Sequence, residues 1–295
     1  MATEKVSRIH ASDGTADYSS LSAWEADLGA AGGVTSADLV TNDEIAVAEL
    51  DSNLVESSQT LINGWTTSTD RAYVIIRPTA GNAHLGDITA GFQLSTSNGG
   101  VSLLVTTIDR VVIEDLRLVC SLVGVDFVEK DTLLQRCVVD LASTTTTGIR
   151  RSELGLGIIN NIFVNTNGNT GGTTIESRSF ITGAGLIYNN TFVDQPTCVS
   201  GYHASRIVKN NVFYNPTNIF SNDWSSATLV DYNATTNASG LPGSNNVYSV
   251  STSDGVDFVS PSTGDYSLTS GSALVEQGTD LSSAFTDDIA GNTRS

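Results

Sequence analysis

Positive charge is scarce in this sequence. Fourteen Lys and Arg stand against 32 Asp and Glu in 295 residues, a formal net charge of −18 at pH 7. Nucleic acids and anionic membrane surfaces are bound by clustered cations, so the balance argues against either partner. Cysteine is scarce too. Cys120, Cys137 and Cys198 make no even framework and read as small buried thiols of a chain made under reducing conditions. No run of 18 apolar residues is present, so no transmembrane helix is expected. The start, MATEKVSRIH, lacks the apolar core of a secretory signal, and the expectation is synthesis in a cytoplasm. His10, His84 and His203 lie far apart without ligand spacing, which predicts no metal and no cofactor. One Met and five Pro beside 27 Gly, with Ser and Thr throughout, describe a turn-rich β protein. No linker divides the chain; the Thr run at 144–147 and the Asn/Gly/Thr stretch at 166–174 read as loops.

A repeat is present instead. IINNIFVN at 158–165 returns as LIYNNTFVD from Leu186 and as IVKNNVFYN from Ile207. Aligned on Asn161, Asn190 and Asn211, the copies put Ile158, Ile187 and Val208 in one column and Phe163, Phe192 and Phe213 in another. The column between holds Ile159, Tyr188 and Lys209, which share no chemistry. One constrained position beside one free position is the period-2 pattern of a strand with a buried face. The second asparagine is read as the bend, since Asn tolerates left-handed backbone angles. Weaker copies at 111–116 and 133–138 place Asp115 and Arg136 in that bend column. Spacings of 21 to 29 residues between bends predict a solenoid of stacked coils. Stacking would turn the asparagines into a buried amide ladder and the phenylalanines into an aromatic column.

These NNxF repeats resemble those of right-handed parallel β-helix proteins. The stretch DGTADYSSLSAWEA at 13–26 resembles the G-x-x-D-Y-x-x-L opening of many of them. GDYSL at 264–268, GSAL at 271–274 and TDDIAGNTR at 286–294 resemble their closing segment. The resemblance implies an all-β, right-handed single-stranded parallel β-helix with a short N-terminal capping helix. The expected organisation is an N-terminal arm at 1–12 and a capping region at 13–43. Coils follow at 44–222, and 223–295 holds C-terminal coils and a capping segment that folds back over the last coil. Within the capping region, 19–31 reads as an amphipathic helix with Leu21, Trp24 and Leu28 on one stripe. The first full strand is expected at 44–50, and the asparagine columns fade past Ser221.

The same fold carries lyases, hydrolases and inert structural proteins, so activity must be argued from a site. A polysaccharide lyase needs a base and cations around an enolate. The candidate cluster is Asp126, Glu129, Lys130, Asp131, Arg150, Arg151 and Glu153, which forms no lyase motif. A glycoside hydrolase needs two carboxylates about 5 to 9.5 Å apart. Here GYHASRIVK at 201–209, with His203, only echoes a hydrolase motif, and the single Asp-Asp, Asp287-Asp288, is terminal. Gln135, Gln195 and Gln277 sit in no esterase motif, and Tyr202, Tyr214 and Trp224 are candidate sugar-stacking rings or packing groups. No catalytic residue is assigned. The resulting expectation is a non-enzymatic bacteriophage virion structural protein. It would be displayed on the capsid or tail as a homotrimer against other virion proteins, with a glycan as a possible ligand. The alternative is a carbohydrate-active enzyme, lyase or hydrolase, on the same scaffold.

Overall fold

A computed structural model describes residues 2–10, 13–27, 33–68, 71–129, 131–143, 146–151, 157–168, 170–177, 185–201, 206–221 and 229–293. Three parallel sheets run the length of the molecule, with nine, eight and seven strands, and from Glu44 to Thr235 successive strands of the chain fall on successive sheets. A complete coil takes one strand from each, as in Gly185–Tyr188, Thr191–Val193 and Thr197–Gly201. The fold is a single-stranded parallel β-helix. Register is kept over the whole stack because one residue of slip would turn each inward side chain to water. Ala48, Ile76, Ile113, Leu134, Ile158, Ile187, Val208 and Val230 form one unbroken inward column on the first sheet. All eight are at most 3% exposed.

The asparagine pair divides its work. Asn160, Asn189 and Asn210, the first of each pair, take left-handed angles at the corner between first and second sheets, in one column with Asp115, Arg136 and Tyr232. The bend therefore lies one residue earlier than the repeat suggests. The second asparagine is buried and extended, and it builds the ladder. Asn161 Nδ2 donates to Asn190 Oδ1, Asn190 Nδ2 to Asn211 Oδ1 and Asn211 Nδ2 to Asn233 Oδ1, each at 3.0 Å. The same Oδ1 atoms accept the backbone N–H of the preceding rung at 2.9 to 3.0 Å. Asn233 is a rung past Ser221, so the column does not fade there; Tyr232 occupies its left-handed position and hides the pair motif. Beyond it, Asn246 Oδ1 accepts Asn233 N at 2.9 Å and closes the series.

Cys137 sits where the ladder would continue backwards, since Arg136 shares the column of Asn160. Its thiol lies 3.4 Å from Gln135 O and 3.7 Å from Ile113 O. Those are the carbonyls that correspond to Ile159 O and Leu134 O, both bonded by Asn161 Nδ2. Phe163, Phe192 and Phe213 stack with centroids 4.9 and 5.0 Å apart and planes within 18°. All three rings are fully buried.

The ends differ from the expectation. Residues 3–9 are not a free arm: Thr3–Ile9 is a strand in unbroken parallel register with Glu44–Leu50, so it precedes the one expected to come first. Helix α1 is shorter than 19–31, spanning Leu21–Ala26 with Ser20 as N-cap; Leu28 lies outside the described residues. It plugs the first coil. Trp24 is buried, stacks on Trp65 at 5.6 Å and donates its Nε1–H to Ser7 Oγ at 2.9 Å. Buried Glu56 receives Leu21 N and Ser22 Oγ, satisfying a donor that the helix start leaves open. In the opening motif, Asp17 accepts Arg8 N and the Tyr18 hydroxyl bonds Asp27 at 2.6 Å.

The C-terminal segment reaches further than the last coil. An antiparallel hairpin, Phe258–Ser260 with Asp265–Leu268, covers the outer face of the second sheet. Buried Asp257 ties GSAL to it by accepting from Ala273 N, Ser272 Oγ and Ser251 N. The chain then returns along the left-handed corner. Thr279 and Asn210 exchange two hydrogen bonds, Asn160 Nδ2 donates to Asp287 O at 2.9 Å, and Arg136 Nη1 meets Asp287 Oδ2 at 2.5 Å. The first asparagines thus hold a strap.

Candidate functional site

A groove of about 710 Å³ lies between that corner and the returning C-terminal segment. Its floor is the start of the second-sheet strands, Ile162, Thr191, Val212 and Ala234. One wall presents the amides of Asn160, Asn189 and Asn210 with the Tyr232 ring; the other carries Tyr266, Leu274, Glu276, Gln277, Asp288 and Asn292. The coil repeat sets the spacing: corner residues recur at about 4.8 Å, the strand separation of a sheet. Asn160 Nδ2 and both amide atoms of Asn210 are already bonded to the returning segment, so the apolar floor and the few carboxylates at the edge are the surface left for a hydroxyl-rich ligand. Asp288 is engaged at home, accepting Ala290 N and Asn292 N in a tight turn. Burial pushes the Tyr266 phenol well above its usual range, so this ring is neutral and apolar in character.

Beside the groove, Arg136 pairs with three acids. It bonds Asp115 through Nε and Nη2 at 2.8 and 3.0 Å and Glu114 through Nη2 at 2.9 Å, besides Asp287. His84 staples a neighbouring loop here. Its Nδ1 accepts Gly86 N at 2.9 Å, so Nε2 carries the proton and donates to Arg136 O at 2.6 Å. Burial draws the His84 pKa below the ordinary imidazole value. Gly91 is required against it, because a methyl there would stand 2.6 Å from His84 N.

The lyase-like cluster separates. Asp126, Arg150 and Glu176 align across three strands of the third sheet, with Arg150 3.2 Å from Asp126 and 3.4 Å from Glu176. They form an outward ion-pair ladder. Arg151, next in the same strand, faces inward and is 3% exposed. The alternation of a strand sends the two neighbours to opposite sides. Glu129 and Asp131 are half-buried and join no ion pair among the described residues. Lys130, Glu153, His203, Tyr202 and Trp224 lie outside the described residues. Tyr214 packs edge-on against Phe258 and Tyr266 and bonds Thr252 O, as part of the C-terminal cover. Gln135 donates to Glu114, and buried Gln195 accepts from Thr174 Oγ1. His10 takes a left-handed exposed turn remote from His84. All three cysteines are buried free thiols, and burial raises each pKa.

Sequence reasoning missed the groove itself. One wall comes from the first asparagine of each pair, and the other from a segment 69 to 127 residues further along the chain where the two are bonded. Only the non-apolar filling of a recurrent corner position signalled it. Among the described residues, no three His, Cys, Asp or Glu are grouped for a metal ion, and no helix is long and apolar enough to cross a membrane. No family model, curated protein or solved structure matches the chain.

Proposed function

We propose that this chain is a non-enzymatic structural protein of a bacteriophage particle. It is a β-helix displayed on the capsid or tail, a homotrimer seated on other virion proteins, and its groove takes a neutral glycan. The observation that carries the non-enzymatic reading is the outward ladder Asp126–Arg150–Glu176: the acids and the cation that a lyase would need unengaged neutralise each other at 3.2 and 3.4 Å. A continuous internal ladder, with both ends of the stack covered by the chain's own segments, suits a rigid displayed element. The −18 charge suits a particle surface that must repel nucleic acid and its own copies. Mass spectrometry and antibody labelling of purified particles should find the protein at their surface; a protein absent from particles refutes the assignment.

One observation favours a second reading. Glu276 and Asp288 both line the groove, and two carboxylates are the minimum for glycoside hydrolysis. A screen against neutral and acidic polysaccharides should show retention without new reducing or unsaturated ends. Product formed by the wild type and lost in Glu276→Gln or Asp288→Asn would replace the structural reading with the enzymatic one.

A further inference from the structure

The corner between the third and first sheets holds two arginines that face the interior. Arg151 ends one strand and Arg206 begins another, and each is 3% exposed. Register brings them together. Arg206 stands directly against Gly185 on the neighbouring coil. A methyl on Gly185 would lie 2.2 Å from Arg151 Nη1, so the Arg151 guanidinium fills the space that this glycine leaves. Arg151 is also in register with Ser177, which is 4% exposed, and Ser177 with Gly201. Gly201 lacks the side chain for a similar reason: a methyl there would stand 2.1 Å from Ser177 O.

Three donor atoms at this corner are buried. Among the described residues, both terminal nitrogens of Arg206 and the Ser177 hydroxyl have no hydrogen-bond partner. The described carboxylates of these strands do not help, because strand alternation puts Asp126 and Glu176 on the outer face with Arg150. A desolvated cation without a counter-charge is unfavourable, and an added anion would relieve it. Burial and the neighbouring Arg151 charge pull the Arg206 pKa down to about 9, which still leaves it charged at neutral pH.

We propose that this interior corner binds a small oxyanion of the phosphate or sulfate class, gripped by Arg206 and Ser177 with Arg151 as the second positive charge. A guanidinium fork matches two oxygens of such an ion, and a hydroxyl donates to a third. Burial of all three residues selects a free inorganic ion over the headgroup of a larger molecule.

The test is thermal unfolding of protein dialysed into chloride, titrated with inorganic phosphate or with sulfate at constant ionic strength. The wild type should show a saturable rise in Tm, as mass action requires of a ligand that binds only the folded state. Arg206→Met should weaken the apparent affinity at least about tenfold, the loss of a charge-assisted contact. It should also match or exceed the wild-type Tm in chloride alone, since the isolated charge is gone. Arg150→Met, on the outer face of the same sheet, should keep the full response. Sulfate keeps its charge across pH 8 to 10, so its affinity for the wild type should fall through that range as Arg206 deprotonates. Absence of a saturable response, an unchanged response in Arg206→Met, or a pH-independent sulfate affinity would each overturn the site. If Arg206→Met does not fold, Ser177→Ala decides: weaker binding supports the site and equal binding rejects it.

Discussion

At the scale of single residues, one asparagine side chain closes two coils at once. Asn190 Oδ1 accepts both Asn161 N and Asn161 Nδ2, while its own Nδ2 bonds Ile158 O and Asn211. Asn190→Ala would strip the buried Asn161 N–H of its acceptor and Ile158 O of its side-chain donor, and an unsatisfied buried group costs about 1–3 kcal/mol. Urea unfolding should therefore show a loss of about 2–4 kcal/mol with the fold retained. Cys137→Asn should behave oppositely. The thiol already lies against the two carbonyls that an amide would bond, so stability should hold within about 1 kcal/mol of wild type or rise. A loss above about 2 kcal/mol would show that Cys137 is a packing residue and not a degenerate rung. The legibility of the sequence followed the same chemistry. Asn161, Asn190 and Asn211 declare themselves because a carboxamide can donate to carbonyls and accept from the neighbouring rung at once, and it recurs at the coil spacing. Asn233 stayed hidden because Tyr232 replaces its partner at the bend. Arg151 was unreadable, because an Arg-Arg doublet does not tell which member a strand turns inward.

At the scale of elements, the strap and its loop staple are the parts held by few contacts. The His84 pKa is lowered in the folded state by burial, so on acidification the unfolded chain takes up a proton near the ordinary imidazole value of 6.5 that the folded chain refuses. Stability is thus full above that value and falls as pH drops below it. Protonation of Nδ1 also removes the acceptor for Gly86 N. Hydrogen exchange across 82–92 should accelerate between pH 7.5 and pH 5.5, and His84→Asn should flatten that pH dependence. The strap gives a separate prediction. Asn160→Ala with Asn210→Ala removes three hydrogen bonds to Thr279 and Asp287. Limited proteolysis should then cut within 279–287 many times faster while the coils stay protected; unchanged protection would mean that Arg136 and packing alone hold the strap. The strap's course could not be read beforehand. Its pairing with residues 69 to 151 positions away in sequence depends on coil geometry that no local pattern encodes.

At the scale of the whole molecule, 18 uncompensated negative charges repel one another in the folded state. Salt screens that repulsion beyond a Debye length of about 10 Å at 0.1 M, whereas the ion pairs at 2.5 to 4 Å are screened less. The Tm should rise between 0.01 and 0.5 M NaCl, and a fall would mean that the surface pairs outweigh the net charge. The asparagine series has a further consequence for how such a rod must be made. Every rung borrows its acceptor from the rung that comes next along the chain, and only Asn246 ends the debt. A nascent or clipped chain that stops after any turn of the spiral therefore exposes thirsty amides on its growing face. Release from the ribosome, rather than collapse of any one turn, is what completes it, and fragments lacking the tail are the species that should stick to each other end to end.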